Sequence, residues 1–378
     1  MGFKFIHTAD WQLGRPFRAF DARVANLLEQ ARLDAIGRIG AIARNQGAAH
    51  VLVAGDVFDS QQPSPRTITQ VLDRLAAARE VTWHLLPGNH DPARPAGLWE
   101  QLVRRGLPAN ARVYVESKPV EIASGVLLLP SPWTTKSQTN DSTAWMDAAP
   151  TPAGALRIGL AHGSIRDFTS MGESPAIIDP ARAHKARLDY LALGDWHGTE
   201  QIDPRTWYAG TPEPDRFPDN APGNVLAVSI DGPGRASKVE RVPSAHFTWA
   251  KRQVELSDVA SLSSLERELL AAASQVDRLL VKLTISGSVS ALVREAIERW
   301  CATFAERVCH LEADLSGLAS ALGASDLAAL DLSDDVRRAA ERLQAATQSD
   351  DPRTQQLGNA ALGWLVRLAR EGAQESGA

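Results

Sequence analysis

The chain has 378 residues, of which 44% are hydrophobic and 22% are charged, and its net charge at pH 7 is −5. This is the composition of a soluble globular protein, and the acidic balance excludes a protein that coats nucleic acid by charge alone. No apolar stretch reaches the roughly 20 residues that span a bilayer, and no signal-peptide pattern opens the sequence. The two cysteines, Cys301 and Cys309, are too few for a zinc-thiolate site. We therefore expect a cytoplasmic protein without membrane contact.

Apolar runs alternate with amphipathic stretches in the first two thirds of the chain. Helical spacing of apolar residues predicts a helix from Asp21 to Asn45, and a second helix is predicted from Ser64 to Arg79 with Pro65 in its first turn. Alternation of strands and helices predicts an α/β fold whose sheet is at least partly parallel. Seven runs rich in Val, Leu and Ile are predicted to be strands buried on both faces: Phe3–His7, His50–Ala54, Val81–Leu86, Gly125–Leu129, Arg157–Ala161, Tyr190–Leu193 and Asn224–Ile230.

The pattern changes near residue 252. Strand-like RQVEL, LLVKLTI and VCHLEADL alternate with predicted helices Ser261–Gln275 and Ser290–Arg307, which together indicate a small β-α-β-α-β unit. The last fifty or so residues are rich in Ala, Leu, Arg and Asp and are predicted to be helical, with a break at SDDP, residues 349–352. We therefore expect three parts: a main domain over 1–250, a small cap domain over 251–320 and a helical region over 321–378.

Polar side chains follow five of the predicted strands, at the point where each strand ends. A single Gly-Asp after a strand is usually a turn, and a single histidine there is usually a core residue. Five such sets at the carboxyl edge of an α/β sheet, where ligands bind, instead favour a metal site. The residues are Asp10 and Gln12, Asp56 and Asp59 of GDVFD, Asn89, His90 and Asp91 of GNHD, His162, and Asp195 and His197 of GDWHG.

Asp10, GDVFD, GNHD, His162 and the G-x-x-H that ends at His197 resemble the calcineurin-like metallophosphoesterases. These are two-metal enzymes with a four-layer sandwich of two mixed β-sheets flanked by helices. FIHTADWQLG, VAGDVFDS and TWYAGTPEPDRF are more closely similar to the SbcD type, the nuclease subunit of the bacterial SbcC–SbcD complex. The resemblance covers about residues 1–250 strongly and the remainder in outline, where a small C-terminal domain also fits.

The resemblance implies that seven of these side chains hold two metal ions, with Asp56 as the bridge between them. The further ligands are Asp10, Gln12 and His197 for the first ion, and Asn89, His162 and Asp195 for the second. His90 would face the scissile phosphate and protonate the departing oxygen, and Asp59 would hydrogen-bond His90 and orient its imidazole.

Two positions depart from the family pattern, which has a histidine where Gln12 and Asp195 stand. Both changes replace a nitrogen donor with an oxygen donor. An oxygen-rich set favours Mn²⁺, with Mg²⁺ as the alternative, over zinc. We therefore expect a manganese enzyme with a looser first ion. The alternative interpretation is a degenerate site that is retained for structure.

The resemblance implies a Mn²⁺-dependent DNA nuclease, both exonuclease and single-strand endonuclease, that acts in DNA repair or processing. It would form a homodimer and join an SMC-like (SbcC-type) ATPase, to which the predicted helices Leu327–Ala346 and Thr354–Arg370 could dock; burial within their own domain is the competing account. Arg15 and Arg18 are candidate contacts to a DNA backbone, and Trp196 is a candidate for base stacking, although tryptophans beside such loops more often pack beneath them. Two other functions remain open: a phosphodiesterase or phosphatase for a small molecule or phosphoprotein, and a non-catalytic subunit of an ATPase complex.

Overall fold

The computed structural model describes residues 2–136, 140–165, 178–217, 219–320, 334–347 and 349–375. The chain forms two compact units, Met1–Phe247 and Thr248–Ala378, and each is described by itself. The boundary between these units lies close to residue 250, whereas a separate helical region over 321–378 stays a prediction. Within the described ranges, no helix is both long enough and apolar enough to cross a bilayer.

The first unit is built on two six-stranded sheets. Its strands are β1 Phe3–Thr8, β2 His50–Val53, β3 Thr82–Leu85, β4 Ala111–Val113, β5 Val120–Ala123, β6 Val126–Ser131, β7 Leu156–His162, β8 Tyr190–Gly194, β9 Glu200–Asp203, β10 Thr206–Tyr208, β11 Asn224–Ile230 and β12 Lys238–Pro243. The sheet orders are β12-β11-β1-β2-β3-β4 and β5-β6-β7-β8-β10-β9. Strands β1 to β4 run parallel, as do β6, β7, β8 and β10, and antiparallel strands flank both runs. Both sheets are therefore mixed.

Among the described residues of the first unit, four helices flank these sheets: α1 Ala22–Asn45, α2 Pro65–Ala77, α3 Leu98–Arg105 and α4 Arg182–Lys185. The carboxylate of Asp21 accepts a hydrogen bond from the amide of Val24 and so caps α1, as predicted. The hydroxyl of Ser64 caps α2 in the same way. Helix α1 ends after Asn45, and Gly47 follows with φ +65°, a left-handed conformation that glycine adopts without strain.

Successive side chains of the central strands enter different cores, since strand residues alternate between the two faces of a sheet. Ile6 of β1 packs against α1 and α2, whereas its neighbour Phe5 packs between the sheets. In β8, Tyr190 packs between the sheets and Leu191 packs on the outer face of the second sheet. The layers of the first unit are therefore helix, sheet, sheet and helix. The predicted four-layer sandwich with a C-terminal α+β region is confirmed.

The second unit contains the predicted β-α-β-α-β arrangement. Its elements are β13 Thr248–Glu255, α5 Ala260–Ala271, β14 Leu279–Val289, α6 Ala291–Arg307, β15 His310–Ser320, α7 Asp334–Thr347 and α8 Pro352–Glu375. The three strands are parallel in the order β13-β14-β15, and buried residues such as Leu283, Ile297 and Phe304 form their core with the helices. The predicted break at 349–352 lies between α7 and α8, and residues 327–333 of the predicted helix lie outside the described residues.

Several short elements are absent from the prediction. The strands β4, β5, β9, β10 and β12 are three to six residues long. Strand β12 at the edge of the first sheet is mostly exposed. It pairs with β11 through backbone groups, so it needs no continuous apolar run that would mark it in the sequence. Helix α3, which buries Leu98, Trp99 and Leu102 and exposes its other residues, is also absent from the prediction.

Candidate metal centre

The loops that follow five strands meet at one edge of the sandwich. Strands β1, β2 and β3 are neighbours in the first sheet, and β7 and β8 are neighbours in the second. Hydrogen bonds join the loops across the two sheets: the amide of Asp195 donates to Asp10 Oδ1 at 3.0 Å, and His162 Nδ1 donates to the carbonyl of Ala54 at 2.9 Å. The residues predicted from strand ends are therefore brought together.

Four of these residues have left-handed backbone conformations. The φ angles are +54° at Asp10, +42° at Gln12, +52° at Asp56 and +103° at Asp195. Such conformations cost about 1–3 kcal/mol each for residues with a side chain, and they persist only where the surroundings hold them. The first two loops hold each other, since the amide of Gln12 donates to the carbonyl of Asp56 at 2.9 Å. The strain aims the side chains into a common space.

Close backbone approach explains the glycines of the same loops. A Cβ atom on Gly88 would lie 2.1 Å from Asp56 Oδ1, and one on Gly55 would lie 2.2 Å from His162 Nδ1. A Cβ on Gly194 would lie 2.0 Å from the carbonyl oxygen of Ala54. No side chain fits at these positions, because the candidate ligands themselves or the main chain occupy the space.

The four residues predicted for the second ion form one cluster around His162. Its Nε2 atom lies 3.1 Å from Asn89 Oδ1, 3.5 Å from Asp56 Oδ1 and 3.7 Å from Asp195 Oδ1. Because Nδ1 of His162 donates to a carbonyl, the neutral imidazole keeps its lone pair on Nε2, on the side of the three oxygen atoms. Three oxygen donors and one nitrogen donor therefore share one small volume.

The residues predicted for the first ion are arranged differently. The amide of Asp195 donates to both oxygens of Asp10, at 3.0 and 3.2 Å. Gln12 Oε1 accepts from Arg15 Nη1 at 2.7 Å, and Gln12 Nε2 lies 3.2 Å from His197 Nε2. Asp10, Asp56 and His162 each offer one ligand atom, and these three atoms lie within 4.8 Å of one another. Whether each residue binds metal stays a prediction.

His90 lies at the rim of this centre and is partly exposed. Its amide donates to Asp56 Oδ1 at 3.0 Å, and its Nε2 lies 3.9 Å from Asp56 Oδ2. The predicted hydrogen bond between Asp59 and His90 is present, but its acceptor is the backbone carbonyl of Asp59, to which His90 Nδ1 donates at 2.9 Å. The carboxylate of Asp59 lies 3.8 Å from Arg15 Nη1. The main chain therefore orients this imidazole.

Burial of several carboxylates sets the electrostatics of the centre. Burial raises the pKa of Asp10 to about 7 and also raises the pKa of Asp195, and the Asp56 carboxylate adds to both rises. Burial opposes a proton on His162, but the carboxylates of Asp56, Asp10 and Asp195 raise its pKa to about 9. Positive charge is thus stabilised here, and a divalent cation supplies it. Carboxylate and amide oxygens with one imidazole fit Mn²⁺ or Mg²⁺.

Asp91 was noted as the last residue of GNHD, but no role was predicted for it. It is fully buried; its Oδ1 accepts from the amide of Gly88 at 2.7 Å and its Oδ2 from the amide of Phe58 at 2.9 Å. Burial raises the pKa of Asp91 to about 7, with the Asp56 charge adding to the rise. Asp91 therefore ties the loop after β2 to the loop after β3.

Arg32 and Asp215 were not found from the sequence. Buried Arg32 of α1 donates to the carbonyls of Trp11 at 3.1 Å, Asp10 at 3.3 Å and Glu213 at 2.9 Å. Buried Asp215 lies 3.3 Å from both His197 Nδ1 and Arg15 Nη1. Burial would raise the pKa of Asp215, but His197, Arg32 and Arg15 hold it well below its usual range. The only signal was the TPEPDRF segment.

The candidate substrate contacts differ in exposure. Arg15 is half-buried by its contacts with Gln12 and Asp215, whereas Arg18 is exposed. Trp196 is partly buried and packs on the outer core of the second sheet. The tryptophans Trp11, Trp133 and Trp207 beside the loops are buried, so packing is their use.

The sandwich and the candidate metal ligands at its strand ends are typical of metal-dependent phosphoester hydrolases. The family model for calcineurin-like phosphoesterases matches residues 3–198, slightly more than half of the chain, and the chain belongs to that family. A search of curated proteins finds no significant match. Among solved structures, the crystal structure of TT1561 of Thermus thermophilus matches with a TM-score of 0.39 and 11% identity, over 64% of this chain and 99% of that one.

Proposed function

We propose that this chain is a Mn²⁺-dependent DNA nuclease, with exonuclease and single-strand endonuclease activity, that works in DNA repair or processing. Metal-dependent phosphoester hydrolysis is the chemistry of its family. Membership of the family does not by itself imply a DNA substrate, because the same metal centre can hydrolyse many phosphoesters. It is supported by the sequence segments that carry the closer resemblance to the SbcD type.

The observation that carries the proposal is the meeting of those three segments at Arg15. They are HTADWQLG, which contains Gln12, GDVFDS, which contains Asp59, and TWYAGTPEPDRF, which contains Asp215. Arg15 Nη1 lies 2.7 Å from Gln12 Oε1, 3.8 Å from Asp59 Oδ1 and 3.3 Å from Asp215 Oδ2. The three segments that carry the closer resemblance to the SbcD type thus meet at one residue beside the candidate metal centre.

The residues of the centre have distinct roles in hydrolysis of a phosphodiester. When bound, the metal ions of this family activate water and neutralise charge on the phosphate. His90 donates from Nδ1 to the Asp59 carbonyl, so a proton that the ring gains is held on Nε2, on the side of Asp56. From there it can be transferred to the departing oxygen. Arg15 and Arg18 are the candidate contacts to the DNA backbone, and Trp196 to an unpaired base.

The proposed cofactor is Mn²⁺ at two positions, with Mg²⁺ as the alternative ion. Three carboxylates and an asparagine outnumber the two histidines among the proposed ligands, and oxygen donors suit these hard cations. Asp56 is the proposed bridge, since its two oxygens can bind different ions. Its carboxylate is buried, and Oδ1 lies in the cluster around His162.

The proposed partners are a second copy of the chain and an SMC-like (SbcC-type) ATPase. Helix α8 has Leu357, Trp364 and Leu368 exposed by 71%, 61% and 60%. Their spacing of seven and four residues puts them on one helix face, which supports docking to a helical partner. The proposed location is the cytoplasm, where such complexes meet DNA.

Purified protein with Mn²⁺ is assayed on labelled single- and double-stranded DNA, beside a cyclic nucleotide and a phosphoprotein. We expect cleavage of DNA that chelation abolishes and that Asp56→Asn reduces strongly. Cleavage of only the cyclic nucleotide or phosphoprotein would assign the chain to small-molecule or phosphoprotein hydrolysis instead. Calorimetry that detects no metal uptake, together with no cleavage of any substrate, would indicate a non-catalytic subunit.

A further inference from the structure

The two metal positions of the family are unequal in this chain. We propose that Arg15 holds Gln12 in the wrong orientation for a ligand, so that one Mn²⁺ binds tightly at the second position and another binds about 100-fold more weakly at the first. This inference rests on the metal dependence in the proposed function, and it concerns the Mn²⁺ affinity of each of the two positions.

The second position has a complete set of donors. The Nε2 atom of His162 is surrounded by the oxygens of Asn89, Asp56 and Asp195 at 3.1 to 3.7 Å. The Nδ1 proton of His162 is committed to the carbonyl of Ala54, which leaves the Nε2 lone pair for a cation. Two of the three oxygen donors are carboxylates, so Asp195 adds charge where the family pattern has a neutral imidazole.

The first position depends on Gln12, and Arg15 decides which atom of its amide faces the centre. A guanidinium group only donates hydrogen bonds, so the amide oxygen must face Arg15 Nη1, at 2.7 Å. The amide nitrogen then faces His197 Nε2, at 3.2 Å. Rotation of the amide by half a turn would set two donor groups against each other. Gln12 therefore presents an NH₂ group, which has no lone pair for a metal ion.

Neighbouring groups hold Arg15 in this place. Its Nη1 atom lies 3.3 Å from the buried Asp215 carboxylate and 3.8 Å from that of Asp59. Asp215 also contacts His197 Nδ1 at 3.3 Å, so both ring nitrogens of His197 face protein groups. An ion at the first position has to displace these contacts beside a guanidinium of like charge. A glutamine that is only a weaker metal ligand than histidine would not produce this additional cost of binding an ion at the first position.

The test counts Mn²⁺ ions without any substrate. Metal-free protein is titrated with Mn²⁺, and bound ions are followed by calorimetry and by electron paramagnetic resonance. We expect one tightly bound ion with the spectrum of an isolated Mn²⁺. In Arg15→Ala the Gln12 amide is free to turn, and Gln12→His supplies a nitrogen donor. In both variants we expect the weak site to tighten by at least about tenfold and the spectrum of a spin-coupled ion pair to appear.

Arg18→Ala is the matched control, because it removes the same charge three residues further on from an exposed side chain. It leaves the ion count of the wild type unchanged. Asp195→Ala removes the tight ion. Two ions of similar affinity in the wild type would overturn the proposal, and so would an unchanged weak site in both Arg15→Ala and Gln12→His when circular dichroism shows them folded.

The outcome is separable from the DNA specificity proposed above. A chain that binds one tight ion but cuts no DNA at any Mn²⁺ concentration retains the unequal sites and loses the nuclease function. A chain that cuts DNA and binds two equal ions retains the nuclease function and loses the inequality. Absence of any bound ion would overturn both.

Discussion

The Nδ1 atom of His90 lies 2.9 Å from the backbone carbonyl oxygen of Asp59, so the main chain of the loop after β2 sets the orientation of this imidazole. A carbonyl accepts but does not donate, and Nδ1 therefore carries a proton in every protonation state of the ring. The other ring nitrogen, Nε2, lies on the side of Asp56 Oδ2 at 3.9 Å. The Asp59 side chain is not needed for this geometry.

His90→Ala is expected to lower kcat for a phosphodiester with an alkyl leaving group by about 10²–10⁴, the usual contribution of a general acid. The loss should be much smaller for a p-nitrophenyl phosphodiester, whose leaving group needs no proton. Asp59→Asn should leave kcat close to the wild-type value, because the carbonyl contact remains. Steady-state kinetics with Mn²⁺ on both substrates measure this. Equal losses on both substrates would exclude proton transfer by His90.

Gly88→Ala is expected to lower the affinity for Mn²⁺ by at least about tenfold. The new Cβ would lie 2.1 Å from Asp56 Oδ1 and 2.5 Å from the Asp56 amide nitrogen, so the proposed bridging carboxylate must move. Gly37→Ala is the matched control: Gly37 lies within α1, and apart from the neighbouring backbone of that helix no atom would lie within 4 Å of its Cβ. That control should keep the affinity and stabilise the helix by roughly 0.5–1 kcal/mol. Calorimetric titration compares the two, and equal affinities would contradict the expectation.

Arg32→Met is expected to lower the free energy of unfolding by about 3–5 kcal/mol, the usual effect of removing one partner from a buried charged network. The carbonyls of Asp10, Trp11 and Glu213 would each lose a donor. Arg44→Met on the same helix is the control, since Arg44 is exposed and 3.9 Å from the exposed Glu80, a contact that contributes at most about 1 kcal/mol. Urea unfolding measures the free energy of unfolding of both variants. Similar losses of stability in the two would argue against a structural role for Arg32.

Most of the fold could be predicted from the sequence, because its central strands are buried on both faces and leave a continuous apolar signal. Phe5 and Ile6 illustrate this: neighbours in one strand, they enter two different cores. The exposed edge strand β12 gave no such signal. The order of the strands was also not predictable, since β1 pairs with β11, more than 200 residues further on, through backbone groups that every residue carries.

Some residues of the candidate site could likewise be predicted from the sequence, and others could not. Its strand-end residues could be predicted, because each follows an apolar run and the edge where such ends meet follows from the topology. Arg32 could not, since it lies in the middle of an amphipathic helix and contacts Glu213, 181 residues away, only in the folded state. The orientation of Gln12 was also beyond the sequence, because it depends on the hydrogen bond from Arg15, an atomic detail that residue spacing does not encode.

Buried His7 should contribute less to the stability of the protein as the pH is lowered below about 6.5, whereas the buried carboxyls of Asp10 and Asp91, whose pKa values are raised, act in the opposite direction. Burial lowers the pKa of His7 from 6.5 to about 3, against a hydrogen bond to the Leu193 carbonyl that favours the charged form. Between these values the unfolded chain binds a proton at His7 that the folded chain does not, so the contribution of His7 to the free energy of unfolding decreases with falling pH, by up to about 1.4 kcal/mol per pH unit. Urea unfolding with a chelator present, at several pH values from 7 to 4, measures this slope. His7→Gln should shift the slope towards higher stability at low pH by up to that amount, whatever its effect on stability at pH 7. An unchanged slope in the variant would contradict a lowered pKa of His7.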